Sequence, residues 1–222
     1  MNKGIIALLL GMVFAVPLAQ PLDFSFSAGA GSFINFTYEN DQWTLAGSTK
    51  YEDMITRYGT WGGWAFLDAT FIEFSAGLGG SHGIEGHDVI NYEGGGTVLH
   101  LAAYGKYPFA LKKPGVYYPL LGVDSQWLLA AMTGTGAPFT EAALEDAQEQ
   151  YNALWFKAGF GLDLDVTEKL YLRAQFLYGF KFYTDTEQDF WETNKEDIQT
   201  YAFHGPTLRL AFGYKLYSVP LR

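Results

Sequence analysis

Apolar residues occupy every second position in several short segments of the chain. In the segment 208–216 the apolar parity consists of Leu208, Leu210, Phe212, Tyr214 and Leu216. The opposite parity carries Arg209 and Lys215, and the segment 170–182 repeats the pattern with Arg173 and Lys181 on its polar parity. Successive side chains of a strand point to opposite faces, so each segment is a strand with one apolar and one polar face. Because the apolar face is so aromatic, it indicates a lipid-facing wall around a polar interior, which is a transmembrane β-barrel.

Eight such strands are predicted along the chain. They cover 22–33, 58–67, 70–80, 97–108, 117–130, 153–165, 169–183 and 205–217. Tight turns at 68–69, 112–115 and 167–168 alternate with long connections at 34–57, 81–96, 131–152 and 184–204. This alternation predicts an all-β fold: an eight-stranded, antiparallel, up-and-down transmembrane barrel with short periplasmic turns and long extracellular loops. Within the third long loop, Thr140 is placed to cap a short helix over 141–150.

The N-terminus has the features of a secretory signal peptide. A short positive start at Lys3 is followed by an apolar stretch over 5–15 and by small residues at Ala15 and Ala19. The stretch is too short to span a bilayer as a helix, which disfavours a membrane anchor. We therefore expect a signal peptide over 1–19, a barrel domain over 20–222, and location in the outer membrane after secretion across the inner membrane.

Composition agrees with a membrane barrel. Aromatic residues make up 18% of the chain, and such residues form the interfacial girdles of barrels. The chain has no cysteine, which excludes disulfides and zinc–thiolate sites. No run of about 20 apolar residues follows the N-terminal segment, so a helical membrane protein is excluded.

Acidic residues concentrate in the predicted long loops. Of the 24 acidic residues, 17 lie there, at positions 39, 41, 52, 53, 85, 88, 93, 141, 145, 146, 149, 185, 187, 189, 192, 196 and 197. The net charge of −10 argues against nucleic acid as a partner, because phosphate contacts need clustered Lys and Arg. The loops are either solvated faces that resist aggregation, which is the commoner case, or a surface that holds divalent cations or a basic extracellular ligand.

The signal peptide, the eight amphipathic strands, the four acidic loops and the final strand up to Tyr217 together resemble the small eight-stranded outer-membrane barrels: the OmpA transmembrane domain, OmpX and OmpW. The resemblance covers the whole mature chain and implies outer-membrane lipid and the barrel-assembly machinery as partners. Barrels of this kind usually end on an aromatic residue read by that machinery, whereas here Tyr217 is followed by five further residues.

The predicted lumen carries a nearly balanced set of charges. The lumen charge network comprises Glu73, His100, Lys106, Asp124, Lys157, Asp163, Arg173, Lys181, Arg209 and Lys215, with Asp23, Asp165, Gln126 and Gln175 on the same faces. Side chains fill the interior of an eight-stranded barrel. Paired charges there would form a closed plug, which is the favoured interpretation; rings of Lys and Arg along an anion path are the alternative.

Aromatic residues near strand ends are candidates for the two membrane interfaces. They are Trp64, Tyr107, Tyr117, Trp127, Tyr171, Tyr178 and Tyr214, with Trp61, Tyr104, Tyr118, Trp155, Tyr183 and Tyr217 beside them. The four histidines show no spacing typical of a catalytic triad or metal site, and the glycine-rich runs 79–80 and 94–96 lack the lysine of a phosphate-binding loop. We therefore expect no enzyme activity, no cofactor and no metal.

The sequence thus predicts an outer-membrane barrel with a structural or surface-display role, serving adhesion or membrane stability through a closed lumen and acidic loops. A narrow channel for small anionic or hydrophobic solutes, with an axial path or a side exit as in the OmpW relatives, is the alternative.

Overall fold

The computed structural model describes residues 23–44, 51–85, 95–110, 115–133, 136–182 and 198–220. The strands are β1 (Asp23–Thr44), β2 (Tyr51–Ala69), β3 (Ile72–Glu85), β4 (Gly95–Lys106), β5 (Phe109–Ala110), β6 (Gly115–Ala131), β7 (Ala153–Asp165), β8 (Leu170–Phe182) and β9 (Ile198–Pro220), with one helix, α1 (Glu141–Tyr151). No helix within these ranges is both long and apolar enough to cross a membrane.

The strands form one closed antiparallel sheet. Their order is β4-β3-β2-β1-β9-β8-β7-β6-β5, and β4 also pairs with β6, which closes the barrel. The two-residue β5 continues the ladder of β4 on β6, since Lys106 faces Leu120 and Phe109 faces Tyr117. Pro108 separates β4 from β5 and has no N–H to donate. The predicted eight-stranded up-and-down barrel is therefore confirmed.

Three strands are far longer than predicted. β1, β2 and β9 have 22, 19 and 23 residues, whereas about 9 to 11 tilted residues span a bilayer. β1 pairs with β2 as far as Thr44 and Tyr51, and with β9 as far as Trp43 and Ile198. The expected long loop over 34–57 is thus wrong for 34–44 and 51–57, which form strands. A strand segment that has no lipid-facing side need not alternate apolar and polar residues. The alternation therefore could not reveal that the strands remain paired in these segments.

The acidic residues of the expected loops are redistributed accordingly. Positions 39, 41, 52, 53 and 85 lie in strands. Positions 141, 145, 146 and 149 lie in α1, whose predicted cap is confirmed because Thr140 accepts a 3.4 Å hydrogen bond from the Ala143 amide. The other eight acidic positions of that set lie outside the described residues, as do positions 112–114 of the tight turn expected at 112–115 and the expected signal peptide over 1–19.

The outer wall carries a continuous apolar surface. Its exposed large apolar side chains include Phe74, Leu78, Leu101, Leu121, Leu129, Leu154, Phe160, Phe180, Leu208, Leu210, Phe212 and Leu216. Because every strand is paired on both sides in the closed part of the barrel, its backbone groups are satisfied without water. This combination is what a barrel needs to lie in lipid.

The β2–β3 turn, the β7–β8 turn and both described chain ends lie at one end of the barrel, which we call the turn side. The opposite end, where α1 lies, is the loop side. On the loop side α1 packs its buried Ala147 against Val98 and Leu128. The side-chain amide of Gln148 donates to the backbone carbonyl of Leu128, and Asn152 Oδ1 accepts from the backbone N–H of Leu128, each at 2.8 Å. These two side chains continue the β6 ladder beyond the start of β7, so they fix α1 at the loop-side end of the wall.

The β2–β3 turn is tied to β1 by Thr70. This residue has a left-handed φ of 52°, and its hydroxyl accepts from the Ser25 amide at 2.7 Å and donates to the Ser25 carbonyl at 3.0 Å. The tight turn expected at 68–69 is therefore displaced to 70–71. Because the two hydrogen bonds hold a threonine in a backbone region that β-branched residues avoid, the turn depends on the hydroxyl.

We expect Thr70→Val to lower the free energy of unfolding by about 1 to 3 kcal/mol, because it keeps the branched shape and removes both hydrogen bonds. Urea unfolding of the refolded barrel in detergent micelles measures this. Thr70→Ser is the matched control, since it retains the hydroxyl and should lose much less. Equal losses in the two variants would show that the hydroxyl does not hold the turn.

Candidate functional site

The barrel interior on the turn side is filled by an ionic cluster centred on Arg173. The Arg173 Nε and Nη2 atoms donate to the two carboxylate oxygens of Asp163 at 2.8 and 2.7 Å. Nη1 donates to Glu73 Oε2 at 2.8 Å, and Nη2 also donates to Asp68 Oδ2 at 2.5 Å. Lys106 forms a further ion pair with Asp68. We call these five residues the turn-side cluster; it joins strands β2, β3, β4, β7 and β8 across the lumen.

Aromatic rings enclose the Arg173 guanidinium. Its Cζ lies 4.3 Å from the centre of the Phe66 ring, 5.3 Å from Tyr171 and 5.4 Å from Tyr118. Tyr118 also donates a 2.9 Å hydrogen bond to Asp163. A planar cation can stack on rings and still use its edge for carboxylates, which is the geometry that arginine allows and lysine does not.

Two glycines make room for these rings. A side chain at Gly161 would overlap the Tyr118 ring, and one at Gly213 would overlap the Tyr171 ring. Both rings therefore lie over bare backbone of the neighbouring strand, since Tyr118 pairs with Gly161 and Tyr171 pairs with Gly213. Glycine at these two positions is a packing requirement of the filled lumen.

A second group, the loop-side cluster, lies above the first and is built around Asp124. Lys157 Nζ is 2.7 Å from Asp124 Oδ2, and His100 Nδ1 is 3.4 Å from the same oxygen. Lys157 also donates to Thr207 at 3.1 Å, and Thr207 donates to Asn35 at 2.5 Å. Arg209 completes the cluster. The loop-side cluster joins five strands of the wall, from β1 and β9 across to β4, β6 and β7.

Arg209 connects the two clusters. Its guanidinium lies 3.9 Å from both Glu73 Oε1 and Asp124 Oδ2, and 4.9 Å from the Trp64 ring. Within the described lumen, four carboxylates (Asp68, Glu73, Asp124 and Asp163) are thereby connected to four cations (Lys106, Lys157, Arg173 and Arg209). A buried set of this kind is tolerable only because the charges balance.

The residues predicted for the lumen network fall into three places. Glu73, His100, Lys106, Asp124, Lys157, Asp163, Arg173 and Arg209 meet in the two clusters. Lys215 instead pairs with Asp165 at 2.7 Å at the partly exposed turn-side rim. Lys181 is buried nearer the loop side, 4.4 Å from the Phe203 ring. Gln175 donates to Glu73 at 2.7 Å, and Gln126 is buried beside the loop-side cluster.

Asp68 is the charged residue of the two clusters that the sequence did not predict; the neutral Asn35 and Thr207 were not predicted either. Asp68 was assigned to a turn, whereas the structure keeps it in β2 and buries it. It shares the parity of Trp64 and Phe66, so extending the alternation by one step would have placed it in the lumen.

The expected membrane-interface positions of Trp64 and Tyr171 are wrong. Both side chains lie in the lumen, 4% and 2% exposed, packed in one cluster with Phe33 and Phe66. Tyr104, Tyr118 and Trp155 are likewise inside. The reason is the strict two-residue period: Tyr171 has the parity of Arg173, so both must face the same side.

The other interface candidates lie on the outer wall. Tyr107, Trp127, Tyr178 and Tyr214 are exposed there, as are Trp61 and Tyr217, and Tyr117 is half-buried. Tyr107, Phe109, Tyr117, Phe160 and Phe176 form a chain of ring contacts with centroid distances from 5.0 to 6.5 Å. Tyr183 lies outside the described residues.

Among the described residues there is no group of three or more side chains arranged to hold a metal ion. His87 and Asp88, in the predicted second long loop, lie outside the described ranges.

Comparisons with solved structures return small barrels at low identity. Neisserial surface protein A (NspA) matches with 11% identity, a TM-score of 0.43, and coverage of 85% of this chain and 99% of that chain. OprG from Pseudomonas aeruginosa matches with 10% identity, a TM-score of 0.40, and coverage of 90% and 98%. Ail, the attachment invasion locus protein of Yersinia pestis, matches with 12% identity, a TM-score of 0.37, and coverage of 87% and 99%. No family model matches the chain, and no curated protein matches it.

Proposed function

We propose that this chain is an outer-membrane barrel with a structural and surface-display role, exported by its N-terminal signal peptide and closed to ions by its lumen network. The observation that carries the proposal is the set of hydrogen bonds that Arg173 donates to Asp68, Glu73 and Asp163. These three carboxylates are contributed by β2, β3 and β7. These contacts cross the interior and leave the guanidinium 1% exposed. An ion moving through this layer would have to separate several buried ion pairs at once, which is costly in a medium of low dielectric constant.

The outer wall and the long strands support the membrane and surface-display parts of the proposal. The apolar wall matches outer-membrane lipid as a partner, and insertion of a closed barrel requires the barrel-assembly machinery. β1, β2 and β9 extend beyond the length that spans a bilayer, and the loop-side parts of β1 and β2 carry acidic residues at 39, 41, 52 and 53. These positions and α1 form the surface that we propose is displayed, where divalent cations or a basic extracellular ligand would bind for adhesion or membrane stability.

The experiment is single-channel recording in planar bilayers, with ion selectivity measured in a salt gradient. We expect the refolded wild-type protein to show no conductance steps while its heat-modifiable mobility on gels proves that the barrel is folded. That result directs the search for function to the acidic loop-side surface.

The opposite result favours the narrow-channel alternative for small anionic solutes. Reproducible anion-selective steps that disappear in an Arg173→Glu variant, with the folded mobility retained, would replace the closed plug by an axial path through Lys106, Lys157, Arg173 and Arg209. The same steps persisting unchanged in that variant would place the path elsewhere in the barrel, and they too would rule out the closed plug.

A further inference from the structure

The helix α1 lies on the lumen side of the barrel wall. Its buried Ala147 packs against Val98 and Leu128, which face each other across β4 and β6. The next pair on the same face of these two strands is His100 with Gln126, because side chains two residues apart on a strand share a face. Since His100 belongs to the loop-side cluster, α1 lies directly above that cluster. We call the loop-side end of the lumen, which α1 covers from the β4 and β6 side, the mouth.

The contact between α1 and the mouth is a small apolar layer. Ala147 is 1% exposed, and Phe139, Leu144 and Tyr151 are partly buried against the same group of side chains. Phe139 reaches this layer because the chain turns back after β6, where its amide donates to the Ala131 carbonyl at 2.9 Å. The layer therefore separates the loop-side cluster from the exterior on this side of the mouth.

The opposite face of α1 points away from the barrel. Glu141, Ala142 and Glu145 are exposed there, whereas Ala147 is buried against the wall. A helix with one apolar face on the protein and one polar face in water is positioned by burial of the apolar face. In α1 that face is directed down onto the mouth, which is the arrangement of a cover.

α1 is attached to the barrel by side chains, whereas the strands beneath it are joined by backbone ladders. Gln148 and Asn152 each make one hydrogen bond to the backbone of Leu128, while β6 is paired along its length with β4 and β7. α1 has 11 residues and no basic residue in its last turn, and a helix of this length is marginally stable without its packing. A segment held in this way opens at a lower free energy than the whole barrel.

We propose that α1 is a lid that closes the mouth of the lumen and opens without unfolding of the barrel. It is a second closure, separate from the turn-side cluster: the turn-side cluster fills the lumen with ion pairs, and α1 covers the mouth with apolar contacts. When the lid opens, the loop-side cluster becomes accessible to water and small solutes from the loop side.

The test places a cysteine beneath the lid, in a chain that has none of its own. Gln126→Cys is refolded in detergent micelles, and the rate of its reaction with a small charged thiol reagent is measured. We expect slow labelling when the lid is intact. Adding Ala147→Arg should raise the rate about tenfold or more, because an arginine does not fit where Ala147 packs and displaces the lid.

Ala142→Arg is the matched control, because it is the same substitution on the exposed face of the same helix. It should leave the labelling rate of Gln126→Cys unchanged. Equal rates in the Ala147→Arg and Ala142→Arg backgrounds would overturn the proposal, since the cysteine would then not be covered by α1.

Hydrogen exchange of the wild-type protein gives a second readout that requires no substitution. We expect the amides of α1 to exchange together and well before those of β6 and β7. Exchange of α1 only together with these strands would overturn the proposal, because the helix would then open only when the barrel unfolds. If Ala147→Arg fails to fold, as judged by heat-modifiable mobility, the wild-type exchange decides the question alone. Neither readout depends on channel recording, so failure of the lid and failure of the closed plug are distinguishable.

Discussion

Replacing Arg173 with methionine is expected to lower the free energy of unfolding by about 3 to 5 kcal/mol, because removing one partner leaves uncompensated buried charge. Asp68, Glu73 and Asp163 would then be left with Lys106, which pairs with Asp68, and with Arg209, which lies 3.9 Å from Glu73. Methionine keeps much of the side-chain volume, so lost packing against Phe66 and Tyr118 contributes little to the change. Equilibrium unfolding in lipid vesicles, followed by tryptophan fluorescence, measures the difference.

Lys215→Met is the matched control for this prediction. Its partner, Asp165, is about one-third exposed at the rim, so the pair is screened by water and should contribute no more than about 1 kcal/mol. A second variant tests the charge argument directly: adding Glu73→Gln and Asp163→Asn to Arg173→Met should recover part of the stability. Equal losses for Arg173→Met and Lys215→Met would show that the buried cluster does not stabilise the barrel.

Arginine in place of Leu210 is expected to destabilise the barrel by about 2 to 4 kcal/mol, because it would place a charge in the lipid near the middle of the membrane. Leu210 is exposed on the outer wall of β9, where it faces Ser32 on β1 and Ala174 on β8 in the middle of the closed barrel. Loss of heat-modifiable mobility after refolding into vesicles, and the unfolding free energy of the remaining folded fraction, measure the effect.

Leu216→Arg is the control on the same strand and the same face. Leu216 lies roughly 15 Å nearer the turn-side end of the barrel, where a long basic side chain can reach the interface and should cost no more than about 1 kcal/mol. If the two substitutions had equal effects, the depth assignment of the outer wall would be wrong.

The alternation of apolar and polar residues was enough to predict the barrel, because the orientation of a strand side chain depends only on its parity. The segment 153–165 was predicted with the bounds that β7 has, since its two faces differ sharply in their surroundings, one on the outer wall and one in the lumen. The helix after Thr140 was predictable for a similarly local reason: a capping hydroxyl satisfies an amide within its own first turn.

The same local rule, applied consistently, would have corrected two of the site assignments. Trp64 and Tyr171 were placed at the interface because of residue type, although their parity assigns them to the lumen. A ring stacked on a guanidinium is as well accommodated inside this barrel as at a headgroup layer. Parity is set by backbone geometry, so it overrides residue type.

The sequence by itself determined that this protein is a barrel with an apolar exterior and a charged interior, because those properties follow from the period of the backbone. Only the tertiary structure decided how far β1, β2 and β9 pair, that Asp68 joins Arg173, and that Arg209 lies between Glu73 and Asp124. Arg173 and Asp68 are far apart in the chain, and their contact depends on how strands from opposite walls are brought together when the sheet closes. Parity places a side chain in the lumen, but barrel closure selects its partner.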